Sequence, residues 1–85
     1  MVKGTISLMN AYVRVTSIDA QTHLTKGDTI MNKYYPSERF TVSGALVIKN
    51  TDNTHTIIYK VKRANSDYEH CFTQNELSKN YWKLY

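Results

Sequence analysis

A chain of 85 residues with a formal net charge of +4 is long enough for one domain, expected to span residues 1–85. Its single cysteine excludes an internal disulfide, the staple on which secreted domains of this size usually depend, so a reducing compartment such as the cytoplasm is expected. The basic balance favours nucleic acid or an acidic protein surface as partner over a cationic one, and no stretch approaches the ~20 apolar residues of a membrane-spanning helix.

At the start, "MVKGTISLMNAYVRV" has its apolar run interrupted by Asn10 and Arg14, and so lacks the core of a signal peptide. Residues 11–18, "AYVRVTSI", alternate: Ala11, Val13 and Val15 fall on one face, and Tyr12, Arg14 and Thr16 on the other, as in a half-buried strand. The polar connection 19–29 contains "TKGD", with Gly27 where a turn asks for positive φ. A short strand is expected in "TIMNKYY", 29–35, ending at Pro36, which biases Tyr35 towards extended backbone.

The strongest strand signal is "RFTVSGALVIKN", 39–50. Phe40, Val42, Leu46 and Ile48 share one parity and are expected in the core. Gly44, at that same parity, marks a bend or bulge. "NTDNT", 50–54, is dense in turn formers. "HTIIYKVKR", 55–63, then places Ile57, Tyr59 and Val61 on the core side, and Ile58, Lys60 and Lys62 on the other. "ANSD" turns the chain again and "YEHCF" returns it. At "TQNE", 73–76, the pattern changes to a Thr-x-x-Glu capping box. A helix of one or two turns should follow, laying Leu77, Tyr81 and Leu84 on the core. The expected fold class is therefore all-β, or β-rich α+β: a small antiparallel barrel or roll with a short C-terminal helix.

Ile18–Asp19 and Leu24–Thr25–Lys26–Gly27, followed by the hairpin "ALVIKNTDNTHTIIY", resemble a group of small phage-encoded SH3-like barrel proteins over about half of the chain. Beyond Ile30 the chain departs from that pattern: "MNKYYPSERF" and the capped C-terminal segment are both longer. The resemblance implies an SH3-like barrel and a phage origin, hence action in a host cytoplasm. It implies no reaction, since function is grafted onto such folds site by site.

Candidate chemistry is sparse. His70 and Cys71 are adjacent, and neighbours on a strand point to opposite faces, so they form no dyad; Cys71 with His55 or His23 stays geometrically possible, but no third group to orient such a pair is identifiable. His23, His55, His70 and Cys71 lack the spacing of a zinc site. Asp67 and Glu69 lie two apart, but Asp67 is accounted for by its turn. The three glycines are too dispersed for a phosphate loop. No enzyme activity, cofactor or metal is expected.

The functional lead is a basic and aromatic set: Lys60, Lys62 and Arg63; Lys33, Tyr34 and Tyr35; and Trp82. Cations with aromatic faces suit an acidic protein surface, and equally the phosphates and bases of a single strand. The expected function is a non-enzymatic binding protein that engages and modulates a host protein. The alternative is a nucleic-acid-binding small β-barrel using the same face.

Overall fold

The computed structural model describes residues Lys3–Leu8 and 11–85. Seven strands and one helix follow in chain order: β1 (Lys3–Leu8), β2 (Ala11–Ser17), β3 (Thr29–Asn32), β4 (Arg39–Lys49), β5 (His55–Lys62), β6 (Glu69–Thr73), α1 (Gln74–Asn80) and β7 (Tyr81–Leu84). All strands join one antiparallel sheet in the order β1-β2-β7-β3-β4-β5-β6. The mostly antiparallel β architecture with one short helix is the one expected from the alternation.

Two strands depart from the sequence expectation. β1 lies in the N-terminal segment, whose pattern gives no clear strand. β7 occupies Tyr81–Leu84, where the spacing predicts that helix continues. The helix is therefore not the last element. It stops after Asn80, because Tyr81 takes extended backbone at φ −131° and ψ 151° and pairs with Asn32.

The sheet is strongly curled. β6 and β7 stand four places apart in its order, which in a flat sheet would separate them by about 19 Å. Yet the rings of Phe72 on β6 and Tyr81 on β7 have centroids 5.4 Å apart. The chain passes from β6 through α1 into β7, and β7 pairs with β3, so β3, β4, β5, β6, α1 and β7 make a circuit around one concave inner face. No ladder joins the outermost strands β1 and β6 among the described residues.

The inner face holds the core. Phe40, Val42, Tyr59 and Val61 are buried on β4 and β5, with Ile30 on β3 and Tyr81 on β7. Leu77 of α1, Ile18 and Leu24 cover them. Phe40 is central, its ring 5.0 Å from His70, 5.7 Å from Phe72 and 6.0 Å from Tyr81. Two long-range contacts fasten the cover: the Leu24 amide donates to the Tyr59 hydroxyl at 3.4 Å, and Gln74 Nε2 donates to the carbonyls of Asp19 and Thr22 at 2.8 and 2.7 Å.

The expectation that Leu46 and Ile48 belong to this core fails. Val42 pairs with Val61 but Gly44 pairs with Lys60, so Ser43 is an extra residue in the ladder. One inserted residue exchanges the two faces of every position beyond it. Ala45 and Val47 then share the face of Tyr59 and Ile57, while Leu46 and Ile48 turn outward, 48% and 45% exposed. Val15 is buried, but it pairs with Leu84 on the face of Trp82 and Met31 and so lies outside the inner-face cluster, whereas Val13 and Ile57 are half-buried.

The turn chemistry agrees with the sequence. Gly27 takes φ 99°, and the turns at 50–54 and 64–67 place Asn53 and Asn65 at φ 67° and 63°. The capping box forms: the Thr73 hydroxyl accepts from the Glu76 amide at 3.2 Å, and the Thr73 amide donates to Glu76 Oε1 at 3.0 Å. Seven residues cannot hold a helix alone, so cap and packing must do so together. Thr73→Ala is expected to cost about 1 kcal/mol in urea denaturation. An unchanged midpoint would show that Leu77 packing alone positions the helix.

Candidate functional site

The basic and aromatic residues singled out in the sequence divide among three places. Lys60 and Lys62 lie on the outer face of β5, opposite Gly44 and Thr41 on β4 and Cys71 and Glu69 on β6. Both are half-buried, and neither joins an ion pair among the described residues. Glu69, the only acidic residue in these three strands, directs Oε2 to the Ser43 hydroxyl at 2.7 Å.

Arg63 does not extend this pair. Its parity places it with Val61, and its guanidinium lies 5.1 Å from the Phe40 ring centroid. Nη2 donates to Glu38 Oε1 at 2.8 Å. With the Arg63 side chain 52% exposed, the pair adds about 0–1 kcal/mol, but it neutralises the charge that was expected to reach a partner. Glu38 Oε2 also accepts from Asn32 Nδ2 at 2.8 Å, and Asn32 Oδ1 accepts the amides of Tyr34 and Tyr35 at 2.8 and 3.1 Å. Asn32 thus organises the loop at 33–38 and leaves both tyrosine rings in solvent, 68% and 69% exposed. Burial pushes the Tyr81 phenol of β7 above its ordinary pKa, with the Asn32 side chain opposing the shift.

Lys33 and Trp82 form a third group with a structural task. Lys33 Nζ donates to the Ser78 carbonyl in the last turn of α1 at 3.0 Å, and sits 4.7 Å from the Trp82 ring centroid. A cation at a helix C-terminus satisfies a carbonyl without an intrahelical partner and favours the dipole. Trp82 is half-buried on the outer face of β7, in one cross-strand row with Met31 and Arg39.

Sequence reasoning missed the aliphatic part of this surface. Across β4 and β5 the outer face continues from Gly44 and Lys60 to Leu46 and Ile58, then to Ile48 and Thr56. Leu46 and Ile48 are exposed and Ile58 half-buried. On the inner side Val47 is also 64% exposed, so this end of the hairpin stands clear of the core. The missing signal is the position of the bulge, which decides the face of each residue beyond it.

The nucleophile and metal candidates are not assembled. His70 points inward among Phe40, Tyr68 and Phe72, while Cys71 is exposed on the outer face beside Lys60. No three His, Cys, Asp or Glu side chains gather to hold a metal ion among the described residues. A cleft of about 360 Å³ lies between the start of β5, the start of α1 and Ala20, lined in part by His55, Ile57 and Gln74. Gln74 is already engaged with the 19–22 turn there. The turn is locked by Asp19, whose carboxylate accepts from the Gln21 amide and the Thr22 hydroxyl, bonds that hold its pKa below the ordinary value. Cys71→Ser is expected to leave both stability and partner binding within measurement error. Loss of binding in a folded variant would assign the thiol a direct role.

No helix among the described residues is long and apolar enough to cross a membrane. The chain matches no protein-family model, no curated protein and no solved structure.

Proposed function

We propose that this is a small non-enzymatic binding protein that engages and modulates a host protein by gripping an acidic surface on that partner. In this reading it is phage-encoded and acts in the host cytoplasm, as its resemblance to SH3-like phage proteins implies. The circuit of strands closed through α1 and β7 is compatible with such a barrel. One observation carries the binding reading: among the described residues Lys60 and Lys62 have no ion-pair partner, and they stand on a sheet face where Thr41, Leu46, Ile48 and Cys71 are exposed. Two cations held side by side by a strand, with their neighbouring carboxylate turned to Ser43, are available to an external anion.

The experiment is an affinity pull-down from a bacterial lysate, with and without nuclease. A protein retained after nuclease treatment supports the reading. Capture that depends on nucleic acid sinks it. That second reading has its own support in the exposed rings of Tyr34 and Tyr35, which offer stacking surface in a chain of net charge +4. Salt separates the two: binding through several phosphates falls about tenfold or more between 50 and 200 mM salt, and a protein interface with apolar anchors loses far less.

A further inference from the structure

We propose that the open outer face of β4, β5 and β6 is a docking surface for an acidic amphipathic helix of a partner protein. The helix seats its apolar side chains on Leu46, Ile48 and Ile58, and its carboxylates on Lys60 and Lys62. The inference rests on the protein-binding reading above and gives it a surface and a partner chemistry.

The shape of the surface comes from the bulge. Because Ser43 shifts the register, Leu46 and Ile48 leave the core and join Ile58 in one aliphatic patch contiguous with the two lysines. Gly44 lies in the next row, between Leu46 and Thr41 and opposite Lys60. A Cβ built on Gly44 meets nothing within 4 Å, so the glycine leaves a notch in the face rather than filling a close contact. Strand residues two apart on one face are about 6.6 Å apart, and helix residues four apart rise about 6 Å, so one helix stripe can meet Leu46 and Ile48 in register.

Charge selects the occupant. On the outer face of β4, β5 and β6 the cations are Arg39, Lys60 and Lys62, and the one carboxylate is Glu69, whose Oε2 is already engaged by the Ser43 hydroxyl. A second copy of this chain laid on the face would oppose lysine to lysine, which disfavours a symmetric pair. A polyanion without apolar groups would leave the three aliphatic side chains in water. An acidic helix with an apolar stripe meets both halves of the surface.

Cys71 provides a native footprint, because it is exposed in the same row as Gly44 and Lys60. The probe is a synthetic helical peptide with leucine at every third or fourth position and glutamate elsewhere. Its controls are the same peptide with lysine for glutamate, and polyglutamate. At about ten times its Kd the acidic peptide should slow alkylation of Cys71 by iodoacetamide about tenfold, and neither control should. Amide NMR shifts should centre on Leu46, Ile48, Ile58, Lys60 and Lys62. Leu46→Ser with Ile48→Ser should weaken binding at least about tenfold while the fold persists. Gly44→Gln should weaken it too, by filling the notch.

Unchanged alkylation, equal protection by the lysine peptide, or shifts centred on Tyr34 and Tyr35 would overturn the proposal. So would protection that rises with protein concentration alone, since a second copy would then cover the face. Against a captured partner, binding lost on charge reversal at Lys60 and Lys62 but kept in the Leu46→Ser/Ile48→Ser variant sinks this inference and spares the broader reading. Binding kept in both variants sinks both.

Discussion

Phe40→Ala is expected to destabilise the domain by about 3–5 kcal/mol, a loss comparable to much of its total stability. Phe40 is 2% exposed, and its ring meets His70 and Phe72 on β6 and Tyr81 on β7. Those strands lie on opposite sides of β4 in the sheet, so the ring holds the curl as well as filling volume. Truncation would leave a cavity between elements that cannot close together without uncurling the sheet. A domain of this length has about 4–13 kcal/mol in all, so the variant should be largely unfolded at moderate urea. The contrasting substitution is Leu46→Ala. It sits four residues past Val42 on what looks like the same stripe, but it is 48% exposed and should change stability by no more than about 0.5 kcal/mol. Urea denaturation of both variants decides the matter. Comparable losses would mean that the bulge at Ser43 is absent in solution.

The second large effect is kinetic. Reversing the charge at Lys60 and Lys62 to glutamate should slow association with the proposed protein partner by about 10-fold or more at low salt. Stability should change little, because surface charges contribute little and neither lysine has an ion-pair partner to lose among the described residues. The dependence on salt is the sharper readout. Screening shortens the reach of surface charge to about 8 Å at physiological ionic strength, so the rates of variant and parent should converge as salt rises. Surface plasmon resonance of the two proteins against the captured partner, at low and high salt, gives both rates. Equal association rates at low salt would show that this face is merely solvated and would move attention to Tyr34 and Tyr35. Adding Arg63 to the variant confuses the result, because its loss also breaks the pair with Glu38 that ties the loop at 33–38 to the end of β5.

The parts of the fold legible in the sequence are those that local chemistry decides. Gly27, Asn53 and Asn65 sit in their turns because few other residues take positive φ cheaply, and Thr73 and Glu76 cap a helix because their spacing lets each reach the other's amide. The illegible parts depend on partners distant in sequence. "YWKL" continues a helical spacing from Leu77, and becomes a strand because β2 and β3 offer it two open edges at once. Gly44 signals a bend or bulge in the sequence, yet the consequence for Leu46 and Ile48 requires knowing which neighbouring residue is the extra one. That is a property of the pairing with β5 rather than of β4. The candidate site inherits the same division. Lys60 and Lys62 follow from simple alternation, whereas the engagement of Lys33 with Ser78 and of Arg63 with Glu38 spans 45 and 25 residues.

The place of β7 has a consequence for how the sheet is assembled. It follows every other strand in the chain, yet it joins β2 on one side and β3 on the other, with Val15 set against Leu84. The hairpins of β1 with β2 and of β4 with β5 pair residues close in sequence and need no contact with β7. Without β7 those hairpins have no common seam, and the strand edges of β2 and β3 stay open to other chains. A chain whose β7 is undocked therefore has its sheet in two halves with nothing between them, and it offers both open edges to aggregation or to a chaperone.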